Sequence, residues 1–131
     1  MFSKVLLVAA VAVASLANAA PANLVARQVH TVTWYDPGLG ACGITNGPND
    51  LIAAVSVSVY NNFPGATPNP NLNPICKKKA RVTANGKSVD VTIVDKCPGC
   101  SDGSIDLSPA AFKVLAAQSV GRIHGGSWVF I

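Results

Sequence analysis

Short runs of alternating apolar and polar residues are spaced along the chain by stretches rich in glycine, proline and asparagine. Residues 29–35 (VHTVTWY) are β-branched and aromatic and predict a strand. Residues 36–50 hold glycines and prolines and predict a loop. Within LIAAVSVSVY, Val55, Val57 and Val59 alternate with Ser56 and Ser58, which predicts a strand over residues 53–59. Its alanine-rich beginning also suits a helical turn. Residues 61–74 form a long polar loop, and that length points to function or disorder. Residues 77–95 contain two β-rich runs joined at Asn85-Gly86, a pair that tolerates the left-handed backbone of a type I′ hairpin. Ser108 can cap a helix, and Pro109 suits its first position. AAFKVLAAQ continues that helix with Phe112, Leu115 and Ala116 toward the core, and Gly121 stops it. GRIHGGSWVFI ends the chain as a strand with a bulge at its Gly-Gly pair. Many strands, one or two short helices and no repeats describe a mainly all-β chain, closed as a small barrel.

The N-terminus changes how much of the chain takes part in that fold. Lys4, the run VLLVAAVAVASLA and the small-x-small site Ala17-Asn18-Ala19 have the form of a secretory signal peptide cut after residue 19. The apolar run is short for a bilayer span, and no second such run follows. The expected organisation is a signal peptide over 1–19, a flexible leader over 20–28 and one domain over 29–131. The mature chain of roughly 112 residues is long enough for a single core. It is expected to be extracellular, free of the membrane after cleavage, and monomeric.

Charge adds little. The net charge is +4 and the acids are six aspartates with no glutamate. Lys77, Lys78, Lys79 and Arg81 supply most of the local positive charge, which favours solubility and also suits an acidic, pectin-like glycan. No nucleic-acid motif is present.

Four cysteines in a secreted chain imply two disulfides. Cys97-Pro98-Gly99-Cys100 is followed by SDGS, so no helix N-terminus stands ready to depress a thiolate pKa as a redox pair requires. Neither the cysteines nor His30 and His124 have metal-ligand spacing, so no metal or cofactor is expected. The isolated histidines read as surface or core residues. Asp106 sits in SIDLS; on a strand it faces away from the side that buries Ile105 and Leu107. Asp95 ends VTIVD, a run apolar on both faces. A carboxylate there is partly desolvated, which suits a general acid or a strong hydrogen-bond donor. Each aspartate, taken alone, is more often structural.

TWYDPGLGACG, TIVDKCPGC and SIDLSPAAF together resemble the fungal loosenin-type, expansin-related proteins of the wider expansin, barwin and RlpA-like group. The resemblance covers residues 31–131. It implies a six-stranded double-psi β-barrel with an open groove that binds polysaccharide such as cellulose, chitin or a pectin-like glycan. Asp106 matches the aspartate of the HFDLS-type motif, needed for wall loosening and equivalent to the general acid of family-45 endoglucanases; here SI replaces HF. Asp95 matches the aspartate that precedes it, and Cys97 replaces a groove tyrosine. Thr33 and Tyr35 match TWY, whose threonine hydroxyl bonds the acid-type aspartate and whose aromatics line the groove.

Hydrolysis needs a base opposite the acid. Asp36 is the one nearby carboxylate, falls one residue off the hydrolase pattern, and precedes Pro37 as a turn cap would. Trp34, Tyr35, Tyr60 and Trp128 are candidate sugar platforms, with Trp128 better placed in the core. Similarity to barwin pairs Cys42 with Cys76, leaving Cys97 with Cys100; the rival is Cys76–Cys97 with Cys42–Cys100. The second, aromatic-rich domain of expansins has no room before Ile131, so the groove alone would set binding. The expected function is non-hydrolytic loosening of cell-wall polysaccharide. The alternatives are a weak endoglucanase or lytic enzyme, and a protein-binding effector or protease inhibitor on the same barrel. Oxidative chemistry, attached by name to riboflavin-aldehyde-forming relatives, finds no flavin or metal motif here.

Overall fold

A computed structural model describes residues 30–131, so the expected signal peptide and leader lie outside the described residues. The strands are β1 (His30–Trp34), β2 (Ile52–Ser56), β3 (Lys79–Ala84), β4 (Lys87–Cys97), β5 (Ile105–Leu107) and β6 (Arg122–Phe130). Two short helices, α1 (Val57–Asn61) and α2 (Pro109–Leu115), and single 3-10 turns at Pro70–Leu72 and Gln118–Val120 complete the fold. The strands close in the order β1-β5-β2-β4-β3-β6. β1 runs parallel to β5 and β2 parallel to β4, and the other neighbours are antiparallel. Among the described residues the six strands thus close on one another, each with a strand neighbour on both sides.

Local chemistry explains most of the elements. In β1 Val32 is fully buried, while Thr33 and Trp34 are half-buried. The β3–β4 hairpin turns through Asn85 and Gly86, both with positive φ (54° and 71°), as the type I′ geometry demands. Ser108 caps α2 by accepting from the amide of Ala111, with Pro109 in the first turn. The helix ends at Leu115, short of Gln118, because Ala116 is extended (φ −160°, ψ 165°). In β6 the pairing slips between His30↔Gly126 and Val32↔Ile123, so the expected bulge falls at His124-Gly125, with Gly125 at φ 91°.

One element differs from its sequence pattern. The strand expected over 53–59 ends at Ser56, and residues 57–61 are helical. The serine that looked like the polar face of a strand is an N-cap: Ser56 Oγ accepts from Val59 N at 3.2 Å. β2 itself is buried at all five positions, since β4 and β5 flank it and the barrel covers both faces. A fully buried strand shows no alternation. The alanine-rich start, suited on sequence to a helical turn, is therefore the strand, and the valine–serine end is the helix.

The core runs through Val32, Val55, Val82, Val91, Ile93, Ile105, Leu107, Phe112 and Trp128, all buried. Trp128 donates Nε1–H to Gly103 O at 2.7 Å, which settles it as an interior residue. His30 is also buried, against Gly103, whereas His124 is exposed.

Candidate functional site

The site begins with β5, three residues long. Ile105 and Leu107 point inward, and Asp106 faces the surface, half-buried. Parallel pairing sets Thr33 of β1 opposite Asp106, and Thr33 Oγ1 donates to Asp106 Oδ1 at 2.8 Å. On the other side Asp106 pairs with Ala54 of β2, and Ala54 in turn pairs with Asp95 of β4. The two aspartates therefore stand level on strands flanking Ala54, about 10 Å apart at Cα by two interstrand spacings.

Their surroundings differ. Burial pushes the Asp106 carboxyl above the ordinary aspartate range; the Thr33 bond and the Arg122 charge pull it down, and Asp95 adds to the rise. Asp95 Oδ1 accepts from the amides of Ala41 and Lys96, each at 2.8 Å. Ala41 reaches it because Gly40 lies against the strand. A Cβ on Gly40 would come to 2.5 Å from Val94 O and 3.2 Å from Asp95 Cβ. Tyr35 is half-buried, and burial together with the charges of Asp95 and Asp106 drives its phenol far above its usual range. Its hydroxyl is thus a neutral donor at any physiological pH.

Thr33, Trp34, Asp106, Gly121, Arg122 and the Cys97–Cys100 clip line an open cavity of about 480 Å³. Trp34 is fixed by Nε1–H donation to Gln118 O at 3.0 Å. The structure joins Cys42 to Cys76 and Cys97 to Cys100, not the rival pairing. The Cys97 and Cys100 sulfurs and an Asp106 oxygen lie within 4.8 Å of one another, so the clip forms the wall beside the acid. Because both sulfurs are oxidised, they offer no thiolate to a metal.

Thr33, Trp34 and Asp106 thus meet in one cavity; Tyr35 and Asp95 do not line it, although the Asp95 charge is near enough to help raise the Tyr35 phenol. Two candidates stand apart. Asp36 is exposed and does not line the cavity. Tyr60 is 1 % exposed, so its ring face is not a sugar platform in this groove. Its hydroxyl donates to Pro70 O at 2.7 Å and touches both sulfurs of the Cys42–Cys76 bridge. Arg122, Gly121 and Val120 are groove residues that the sequence reading missed. Arg122 reaches the site only because β6 pairs with β1 at Thr33↔Arg122, a long-range register with no local signal.

The strand order and the half-buried acid on a short surface-facing strand define a double-psi β-barrel protein with an open groove. The chain belongs to the double-psi β-barrel family whose model, described as "Lytic transglycolase", matches residues 27–125. It is 38 % identical to a papain inhibitor of Streptomyces mobaraensis, over 96 % of this chain and 88 % of that one. An EG45-like domain containing protein of Citrus jambhiri is 32 % identical over 92 % of both chains. Expansin-like protein 1 of Dictyostelium discoideum is 35 % identical over 72 % of this chain, which spans 34 % of that protein's length. Among solved structures, Streptomyces papain inhibitor superposes with a TM-score of 0.71 at 36 % identity, covering 79 % of this chain and 93 % of that one. A Clavibacter michiganensis expansin in complex with cellohexaose shares the fold, with a TM-score of 0.63 at 24 % identity, covering 79 % of this chain and 49 % of that one.

Proposed function

We propose that this chain is a secreted, expansin-like protein that binds cell-wall polysaccharide in the Thr33–Asp106 groove and loosens it without hydrolysis. One observation carries the reading: Asp106 is the sole carboxylate among the residues lining the cavity. Its raised pKa and its hydrogen bond to Thr33 suit it to grip a sugar hydroxyl or glycosidic oxygen. Hydrolysis would need a second carboxylate placed to activate water or attack the sugar. Asp95 is turned to two backbone amides through Oδ1, and Asp36 lies outside the cavity. Trp34, Thr33 and Arg122 offer the mix of aromatic face and polar groups that sugar rings accept.

The test pairs retention with chemistry. Purified protein is expected to stay on insoluble cellulose, chitin or pectin and to release no reducing ends from soluble β-glucan. Asp106→Asn is expected to weaken retention. Sustained turnover abolished by Asp106→Asn would replace this reading with a weak hydrolase or lytic enzyme.

A second reading has its own support. The similarity to a papain inhibitor extends over nearly the whole of both chains, so a protease is a credible partner for the same barrel. Stoichiometric loss of papain activity on a chromogenic peptide, with no retention on any of the three glycans, would establish it.

A further inference from the structure

The second cavity, under residues 61–74, has no role in the groove described above. Its frame is built by hydrogen bonds: Tyr60 Oη–H donates to Pro70 O at 2.7 Å, and the buried Asn73 donates Nδ2–H to Tyr60 O at 2.7 Å. Asn73 Oδ1 accepts from Ile75 N at 2.9 Å, and Cys42–Cys76 ties the far end to the loop that carries Gly40 and Ala41. The half-open space is about 330 Å³, within the span of small-ligand sites. Asn61, Thr67, Pro70, Asn73 and the edge of Tyr60 line it together with Lys96.

We propose that this cavity is a second glycan subsite that selects a uronic-acid residue, with Lys96 as the partner of its carboxylate. Lys96 is the one charged side chain among the lining residues. Its Nζ is held in place, 3.3 Å from Asn61 Oδ1 and 5.4 Å from the centre of the Tyr60 ring. No carboxylate lies within ion-pair distance of it: among the described residues the ion pair is Arg81–Asp90 on the far hairpin. The ammonium is therefore positioned but not neutralised, and an anion binding there pays little to order it. Asp95 precedes Lys96 in sequence but does not line this cavity, and its Oδ1 is taken by the amides of Ala41 and Lys96. The walls are asparagine, threonine and proline. Of these, the exposed Asn61 amide and Thr67 hydroxyl are the groups that sugar hydroxyls can pair with.

The two cavities meet β4 from different sides. Cys97 lines the Asp106 groove and Lys96 lines the second cavity. Asp95 pairs with Ala54, level with the outward Asp106, whereas Lys96 pairs with Val55, level with the inward Ile105, so the two side chains leave opposite faces of the strand. The second cavity therefore holds a sugar independently of the groove. The inference rests on the proposed function in taking a glycan as the ligand, and it adds the substrate class: an acidic polysaccharide in preference to a neutral glucan.

The test titrates ¹⁵N-labelled protein with tetragalacturonate and, separately, with cellotetraose. Tetragalacturonate is expected to shift the amides of Asn61, Thr67 and Lys96 and to bind about tenfold more tightly than cellotetraose, as a charge-assisted hydrogen bond allows. Lys96→Gln is expected to bring the two affinities within about twofold, and Lys96→Arg to restore the difference. Equal affinities in the wild type would overturn the inference. So would a preference unmoved by Lys96→Gln, or tetragalacturonate shifts confined to the Lys77–Lys79 face. An acidic peptide that shifts Lys96 where tetragalacturonate does not would transfer the site to a protein partner and also overturn it. The outcomes separate the two proposals. Cellotetraose shifts around Asp106 with a silent Lys96 region would sink only this inference. Tetragalacturonate shifts at Lys96 with no neutral-glycan binding at Asp106 would sink only the groove reading.

Discussion

Thr33 and Asp106 are 73 positions apart, yet their 2.8 Å hydrogen bond sets the character of the site. The hydroxyl donates to the carboxylate, so it favours the charged form and opposes the rise caused by burial. Thr33→Val keeps the shape of the side chain and removes the donor. It should move the Asp106 titration to still higher pH, read by carboxyl ¹³C chemical shift. A second consequence concerns stability. The folded pKa lies above the unfolded value of about 3.9, so between the two the folded state holds the extra proton. Asp106 thus contributes stability that is full below the unfolded pKa and lost as pH rises through the folded one. Asp106→Asn keeps an acceptor for Thr33 and does not titrate. The Tm difference, variant minus wild type, should therefore grow as pH rises through that window, measured by thermal melts in a pH series.

At the scale of elements, the useful contrast is between the loop at Gly40 and the junction of β2 with α1. Gly40 lets the loop lie against Asp95, and a methyl group there meets a backbone oxygen that cannot turn aside. Gly40→Ala should cost about 2 kcal/mol, in the range of overpacking, measured by urea unfolding. It should also free the Ala41 amide from Asp95, seen as faster hydrogen exchange at that amide. The hairpin at Asn85-Gly86 and the helix at Ser108-Pro109 were legible in the sequence because the signals are local: two left-handed positions, one cap and one proline. The end of β2 was not. Val-Ser-Val-Ser-Val reads as a two-residue period, but Ser56 spends its hydroxyl on a helix amide. Pattern alone does not tell a polar face from a cap. The burial of Tyr60 was hidden for a related reason. An aromatic beside asparagines looks exposed until the loop from residue 61 to 74 folds back and takes its hydroxyl.

At the scale of the whole molecule, the barrel order comes from pairings across long separations; periodicity gave a small β-barrel and motif resemblance its double-psi class, but neither gave the strand order. Asp106 was found through that resemblance; Arg122 was not, because no short motif carries it. The two disulfides also act at this scale and unequally. Cys42 and Cys76 close a loop with a sequence separation of 34, and Cys97 and Cys100 one with a separation of 3. By loop entropy, the Cys42→Ala/Cys76→Ala pair should lose about 4 kcal/mol and the Cys97→Ala/Cys100→Ala pair about 2 kcal/mol. Chemical denaturation of the two double variants checks the order. The short clip's larger effect should fall on glycan retention, since it walls the cavity beside Asp106.

The three-residue strand that bears Asp106 has a kinetic consequence. It pairs only with β1 and β2, whose partner residues lie at least 50 positions earlier in the chain, as the registers Val55↔Ile105 and Ala54↔Asp106 show. The β3–β4 hairpin, by contrast, turns on two residues and forms early. With its disulfides intact, the refolding chain should regain β-sheet signal before it regains the Trp34 environment next to the groove, because distant pairings wait on loop closure. Stopped-flow refolding followed by far-ultraviolet circular dichroism and by tryptophan fluorescence in a Trp128→Phe background would show the lag. The Asp106 groove would then be the last part of the barrel to exist.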